Sequence, residues 1–116
     1  MAPVGLVNGA DSLLRPALER WRVAVHGVVQ GVGFRPHVYR IANELALAGF
    51  VGNDAGGVFI EVEGPPDVLA SFRDRLVAEA PPLAHIDEIV VASASIQGDT
   101  GFRIVTSAFS TDATTL

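Results

Sequence analysis

The sequence predicts an α+β fold in which two helices cover one face of a single antiparallel sheet. Stretches of alternating apolar and polar residues, typical of half-buried strands, are separated by two stretches whose apolar residues recur every three or four positions, as on one helical face. Their order is strand, helix, strand, strand, helix, strand, with a glycine-rich hairpin turn between the second and third strands. A chain of 116 residues, 49% of them hydrophobic, has room for one such domain and its core.

The first strand is predicted over residues 21–28 and the first helix over residues 34–48. Between them lie residues 29–33, which we call the glycine loop because Gly31 and Gly33 lie within it. Pro36 in the first helical turn agrees with a helix start, because proline lacks an N–H that this position would not use. Gly49 is expected to end the helix in a left-handed conformation.

The remaining elements follow from the same two periodicities and from turn residues. Alternation predicts a short second strand and a longer third strand, joined by a hairpin turn that contains two glycines. A Gly-Pro-Pro-Asp break then starts the second helix, and a Pro-Pro pair ends it. The predicted spans are strands at 50–53, 58–63, 85–96 and 102–106 and a helix at 66–80. The fourth strand has an irregular apolar pattern that suggests a bulge.

The domain is predicted over residues 21–106, after a partly disordered N-terminal extension at 1–20 and before a loose C-terminal tail at 107–116. No apolar run is long enough to cross a bilayer and no signal peptide is evident, so we expect a cytoplasmic domain without a membrane partner. The chain has no cysteine, which excludes disulfides and thiol catalysis, and no lysine, which excludes a phosphate-loop lysine or a Schiff base. A net charge of -5 argues against nucleic-acid binding.

The glycine loop has a chemical consequence. Gly31 and Gly33 allow the backbone to curl so that successive N–H groups point inward, and the following helix adds the positive end of its dipole. Arg35 lies beside them, and its guanidinium matches the oxygens of a phosphate. The segment therefore predicts a phosphate site. Glycine spacing alone is equally compatible with a tight turn and a solvated arginine.

The complete string Val28–Pro36 is more specific than its glycines, because it resembles the V-Q-G-V-x-F-R loop of the acylphosphatase family. Gly49–Asn53 followed by Gly57-Val58, and Glu63–Pro65, are similar to further segments of that family, and the likeness covers roughly residues 21–106. It implies a ferredoxin-like βαββαβ sandwich with an extra edge strand. It also implies hydrolysis of the carboxyl–phosphate bond of small acyl phosphates, without a metal or cofactor.

The same resemblance implies roles for individual residues. Arg35 and the backbone N–H groups from Gln30 to Phe34 would bind the phosphoryl oxygens of an acyl phosphate or of inorganic phosphate, and Asn53 would orient the attacking water. The substrate-binding set is Gln30, Gly31, Val32, Gly33, Phe34 and Arg35, and the catalytic pair is Arg35 and Asn53. Taken alone, Asn53 is also compatible with a plain turn residue.

Within the family, Phe34–Pro36, Asn53-Asp54 and Pro81–Asp87 are similar to the N-terminal acylphosphatase-like domain of the HypF carbamoyltransferases of nickel-iron hydrogenase maturation. This implies carbamoyl phosphate as substrate and the downstream domains of a larger carbamoyltransferase as partners. His37 departs from that pattern, which more often has an aromatic residue there. We expect His37 to face solvent, the alternative being an effect on substrate preference.

Two other functions compete with hydrolysis. The first is a non-catalytic anion-binding or docking module of the same fold, against which the presence of both Arg35 and Asn53 argues. The second is a ferredoxin-like RNA binder, which would need several exposed aromatics on its central strands and basic surroundings. Only Phe59 offers such an aromatic, and the net charge is of the wrong sign. The three histidines have no metal-ligand spacing, and His26 and His85 are expected to be strand residues without a catalytic role.

Overall fold

The computed structural model describes residues 17–106, which form five strands and two helices. In chain order these are β1 (Glu19–Val28), α1 (Phe34–Glu44), β2 (Ala48–Asp54), β3 (Gly57–Gly64), α2 (Pro66–Ala78), β4 (His85–Ala94) and β5 (Phe102–Ile104). Most of the predicted N-terminal extension and all of the predicted C-terminal tail lie outside the described residues. No helix in the described part of the chain is long and apolar enough to cross a bilayer.

The strands form one sheet in the order β4-β1-β3-β2-β5. The pairs β1–β4, β1–β3 and β2–β3 are antiparallel, which confirms the predicted βαββαβ arrangement. The extra edge strand is β5, and it runs parallel to β2, so that the complete sheet is mixed.

The core lies between the helices and one face of the sheet. Alternate residues of the central strands point into it, and the second helix contributes Leu69, Phe72 and Leu76, which recur at spacings of three and four. The other buried apolar residues are Val23, Val25, Val29, Phe34, Val38, Ile41, Ala42, Leu47, Val51, Val58, Ile60, Val62 and Phe102. Both ends of the glycine loop are thus anchored in the core, because Val29 and Phe34 are fully buried.

The first helix ends at Glu44, earlier than predicted, and the expected cap at Gly49 is wrong. The left-handed residue after the helix is Ala46, with φ 57°, and β2 begins at Ala48. Gly49 lies inside β2 instead, where a Cβ atom would overlap the carbonyl oxygen of Glu61 on β3. The glycine is therefore required by the close approach of two strands. In the sequence, a glycine that follows a helical stretch is equally typical of a helix end.

The face of the sheet opposite the helices carries a buried ion-pair network. The guanidinium of Arg20 is 2.7 Å from Glu61 Oε1 and 2.9 Å from Glu63 Oε1. The connection from β4 to β5 crosses this end of the sheet, and the N–H groups of Gln97 and Gly98 donate to the carboxylate of Glu63 at 2.8 and 3.0 Å. Burial alone would raise the pKa of Glu63, but these donors and Arg20 hold that pKa below its ordinary value.

Candidate active site

The predicted site residues come from the ends of two strands that the fold brings to one end of the sheet. Val58 of β3 pairs with Val25 of β1 on one side and with Asn53 of β2 on the other. Since β1 and β2 are both antiparallel to β3, they run in the same direction and end at the same end of the sheet. Neighbouring strands lie about 4.8 Å apart, so that β1 and β2 are separated by about 10 Å. The glycine loop follows β1, and Asn53 lies near the end of β2.

The glycine loop leads directly into the N-terminus of α1. Gly31 and Gly33 have φ angles of 74° and 82°, and a Cβ atom on either would meet no other atom of residues 17–106 within 4 Å. The left-handed backbone, and not crowding, is therefore what requires glycine there. Gly33 is the N-cap of α1, and no side chain in the described part of the chain caps the helix. Within residues 17–106, no hydrogen bond uses the backbone N–H groups of Gln30–Phe34. Unpaired N–H groups at a helix N-terminus are a typical anion-binding arrangement.

A β-bulge sets the direction in which the chain leaves β1. The pairing of β1 with β4 shifts register at Gly27, where Asp87 is the extra residue on β4, as the irregular pattern of the fourth strand suggests. Gly27 has a φ of 135°, and a Cβ atom there would overlap the carbonyl oxygen of His85. Glycine at this position allows the bulge, which bends the strand immediately before the glycine loop.

Arg35 and Asn53 are both half-buried and have few partners. Arg35 is the second residue of α1, and it forms no ion pair within the described part of the chain. Asn53 alternates with the buried Val51, so its side chain lies on the helix side of the sheet. Its Oδ1 atom is buried and has no hydrogen-bond partner among residues 17–106. Such an unpaired acceptor costs about 1–3 kcal/mol, so its presence calls for a functional explanation.

The glycine loop and the β2–β3 turn are joined by Gln30. Its Nε2 donates to the carbonyl oxygens of Asp54 and Gly57, at 2.8 and 2.9 Å. The turn is also braced from within, since Asp54 Oδ1 accepts the N–H groups of Gly56 and Gly57 at 2.8 and 3.0 Å. His26 adds a third contact, because its Nδ1 lies 2.8 Å from the carbonyl oxygen of Gly56. A carbonyl can only accept, so Nδ1 carries the proton.

A shallow groove of about 230 Å³ lies where these segments meet. It is lined by Gly27–Gln30 on one side and by Ala55–Gly57 on the other. Three of these seven residues are glycines, so main-chain atoms form much of its wall. Of the lining residues, Gln30 belongs to both the groove and the predicted phosphate-binding set.

The sequence indicates a role for the backbone of the glycine loop, but it does not indicate the contacts of two side chains. For Gln30 only the backbone N–H is expected in the site from the sequence, and His26 is expected to be a strand residue without a catalytic role. Both side chains hold the hairpin turn that follows Asn53. Neither contact had a signal in the sequence, because each depends on which strands pair.

The expectation that His37 faces solvent is wrong, since only 6% of the residue is exposed. It lies in the contact between the two helices, with Nε2 3.1 Å from the carbonyl oxygen of Leu76 and Nδ1 3.4 Å from a guanidinium nitrogen of Arg40. Burial lowers the pKa of the imidazole. The sequence spacing indicates this burial, because His37 follows Phe34 by three positions and precedes Ile41 by four, which places it on the same helical face as these two residues.

No metal-ligand cluster was found in the described part of the chain. Groups of three or more histidine, aspartate, glutamate or cysteine side chains that could hold an ion do not occur within residues 17–106. His85 forms an exposed pair with Asp87, 3.1 Å apart, on β4.

The part of this chain that matches known proteins is nearly the same as the part that forms the sheet and helices. The acylphosphatase family model matches residues 21–104. The carbamoyltransferase HypF2 of Cupriavidus necator is 53% identical over 93 residues, which are 79% of this chain and 12% of that protein. The chain thus spans about an eighth of the length of this relative.

Two solved structures have the same fold. A full-length HypF in its phosphate- and nucleotide-bound form is similar with a TM-score of 0.77 and 36% identity, over 80% of this chain and 13% of that one. The acylphosphatase from Bacillus subtilis is similar with a TM-score of 0.70 and 40% identity, over 77% of this chain and 99% of that one. A protein of this fold can thus consist of little more than the region shared with this chain.

Proposed function

The chain belongs to the acylphosphatase family, and from this premise we propose that it hydrolyses the carboxyl–phosphate bond of small acyl phosphates. One observation carries the proposal. The N-terminus of α1, with Arg35 beside it, has no side-chain cap among residues 17–106, and the Oδ1 of Asn53 has no hydrogen-bond partner in that range. Both follow strands that end at the same end of the sheet, and Gln30 joins the two segments.

Binding would depend on the phosphoryl group. Its oxygens carry negative charge, and the N–H groups of Gln30–Phe34 together with the positive end of α1 offer several donors to them. Arg35 would add two parallel N–H donors, which suit a tetrahedral oxyanion. These donors are held by the backbone, so they need little reorganisation as charge develops in the transition state.

The chemistry would require little beyond positioning. In our proposal the oxygen of a water forms a bond to phosphorus while the bond from phosphorus to the carboxyl oxygen breaks, and the electron pair leaves with the carboxylate. The water releases a proton to solvent, and the products are inorganic phosphate and a carboxylate. Because the carboxylate is a stable leaving group, no covalent nucleophile is needed. The Oδ1 of Asn53 would accept a hydrogen bond from the water and hold it in line.

We further propose carbamoyl phosphate as the substrate in the cell. The support is the 53% identity with a protein named a carbamoyltransferase and the likeness of Pro81–Asp87 to the HypF pattern. Since the chain spans 12% of that relative, the proposal includes downstream carbamoyltransferase domains as partners, and with them a place in nickel-iron hydrogenase maturation.

The test is a hydrolysis assay with benzoyl phosphate and with carbamoyl phosphate, run beside a phosphate-binding titration. We expect turnover of both compounds by the wild-type chain and competitive inhibition by inorganic phosphate. Phosphate binding without turnover of either compound would overturn hydrolysis and favour the non-catalytic anion-binding module. Turnover of benzoyl phosphate alone would reject carbamoyl phosphate as the substrate and leave the family activity in place.

A further inference from the structure

We propose that the side chain of Gln30 is a positioning residue, which holds the glycine loop at a fixed distance from Asn53. This inference rests on the proposed function, since it assigns a role within the same site. It is distinct from the role of the Gln30 backbone N–H, which would donate to phosphate whatever the side chain is.

The orientation of the carboxamide is determined by its partners. Both neighbours are main-chain carbonyl oxygens, of Asp54 at 2.8 Å and of Gly57 at 2.9 Å, and a carbonyl can only accept. The nitrogen, and not the oxygen, must therefore face them, and its two hydrogens serve one carbonyl each. The two accepting residues stand on either side of the turn at 55–56. One side chain thus spans the base of the hairpin.

The hairpin that receives Gln30 is braced independently. Asp54 Oδ1 accepts two N–H groups of the turn, and Nδ1 of His26 donates to the carbonyl of Gly56. The residue immediately before this braced segment is Asn53. A contact to the carbonyl of Asp54 is therefore one residue away from the side chain that would orient the water.

The glycine loop has little bracing of its own. Two of its residues are left-handed glycines, and no main-chain bond within residues 17–106 uses its N–H groups from Gln30 onward. Its ends are anchored by the buried side chains of Val29 and Phe34. In the described part of the chain, Gln30 supplies both hydrogen bonds that join this loop to the hairpin. We infer that these two bonds set the distance between bound phosphate and Asn53.

The predicted consequence is a loss of turnover with little loss of binding. The Gln30→Met variant keeps the length of the side chain and the backbone N–H but has no donor. A shift of about 1 Å between reacting groups can cost about 100-fold in rate, so we expect kcat to fall by about 10- to 100-fold. The Kd for inorganic phosphate should change by less than about threefold, because the donors to phosphate remain.

The matched control is Gln97→Met. Gln97 is also a glutamine whose Nε2 donates to a main-chain carbonyl, that of Ser95 at 3.3 Å, but it lies beside Glu63 at the opposite end of the sheet. The control should leave kcat, the phosphate Kd and the amide exchange of residues 53–57 as in the wild type. In Gln30→Met we expect the amides of this hairpin to exchange about tenfold faster with deuterium.

The measurements separate this inference from the proposed function. Absence of turnover in the wild type would sink acyl phosphate hydrolysis, and unchanged hairpin exchange in Gln30→Met would still overturn the positioning role. Equal losses of kcat and phosphate affinity would overturn it as well, since the side chain would then act on binding. A fall in kcat with unchanged hairpin exchange would do the same, because the side chain would be acting on substrate directly.

Discussion

The Nε2 of Gln30 lies 2.8 Å from the carbonyl oxygen of Asp54, a residue 24 positions further along the chain. One side of this contact is the loop that precedes the N-terminus of α1, and the other is the residue after Asn53. The groups that would hold a phosphate and the group that would orient a water therefore come from separate segments that touch.

Replacement of Arg35 by alanine should remove both phosphate binding and turnover. The guanidinium is the charged donor beside the glycine loop, and deletion of one preorganised donor costs about 100- to 1,000-fold in kcat. Benzoyl phosphate hydrolysis and a phosphate titration measure the two effects. Arg73→Ala is the matched control, because Arg73 is an exposed residue of α2 whose nearest carboxylate, on Asp74, is 3.8 Å away. Wild-type kinetics in Arg35→Ala would contradict the assignment.

Replacement of Asn53 by alanine should lower kcat by about 100-fold while phosphate binding stays within a few-fold of the wild type. Since its Oδ1 has no partner within residues 17–106, the variant should lose no more than about 1 kcal/mol of unfolding free energy. Asn43→Ala, which removes an exposed asparagine bonded to the carbonyl of Tyr39, should keep full activity. A phosphate affinity lost in parallel with kcat would show that Asn53 binds phosphate and does not orient water.

His37 should make the stability depend on pH in the mildly acidic range. Burial lowers the pKa of its imidazole in the folded chain, whereas the unfolded value is about 6.5. Below that pH the unfolded chain binds more protons, so the free energy of unfolding should fall as the pH decreases from about 6.5 toward the folded pKa. The contribution is complete above about pH 6.5.

Urea unfolding at several pH values tests this dependence. His37→Gln can still donate to the carbonyl of Leu76 but does not titrate, so it should flatten the slope. The control His85→Gln changes an exposed histidine on β4 and should retain the slope. An unchanged slope in His37→Gln would assign the pH dependence to other groups.

Replacement of Arg20 by methionine should destabilise the fold without affecting the site. Arg20 is 2% exposed and bonds to Glu61, Glu63 and Asp99, of which Glu63 is 5% exposed. Removal of one partner from a buried pair leaves an uncompensated charge and costs about 3–5 kcal/mol.

Urea unfolding measures the loss in Arg20→Met, and phosphate affinity of the folded variant should stay at the wild-type value. Arg22→Met is the control, because Arg22 also bonds to Glu61 but its side chain is 63% exposed. It should cost no more than about 1 kcal/mol. Equal losses in the two variants would show that burial does not decide the strength of this network.

The fold and the glycine loop of the candidate site could be predicted from the sequence. Strand and helix periods repeat every two and 3.6 residues, so local windows reveal them, and the order of elements then restricts the topology. Gly31 and Gly33 were assigned to a turn before α1 because left-handed backbone favours glycine wherever it occurs.

What only the tertiary structure decided is which groups meet across the sheet. The bond from Gln30 to Asp54 and the bond from His26 to Gly56 depend on strand register and on the bulge at Gly27, and a shift of one residue would turn these side chains to the other face. The same is true of Gly49, whose close neighbour is on another strand. Local sequence thus determined the glycine loop, and long-range pairing determined that Gln30 of this loop contacts the residue after Asn53.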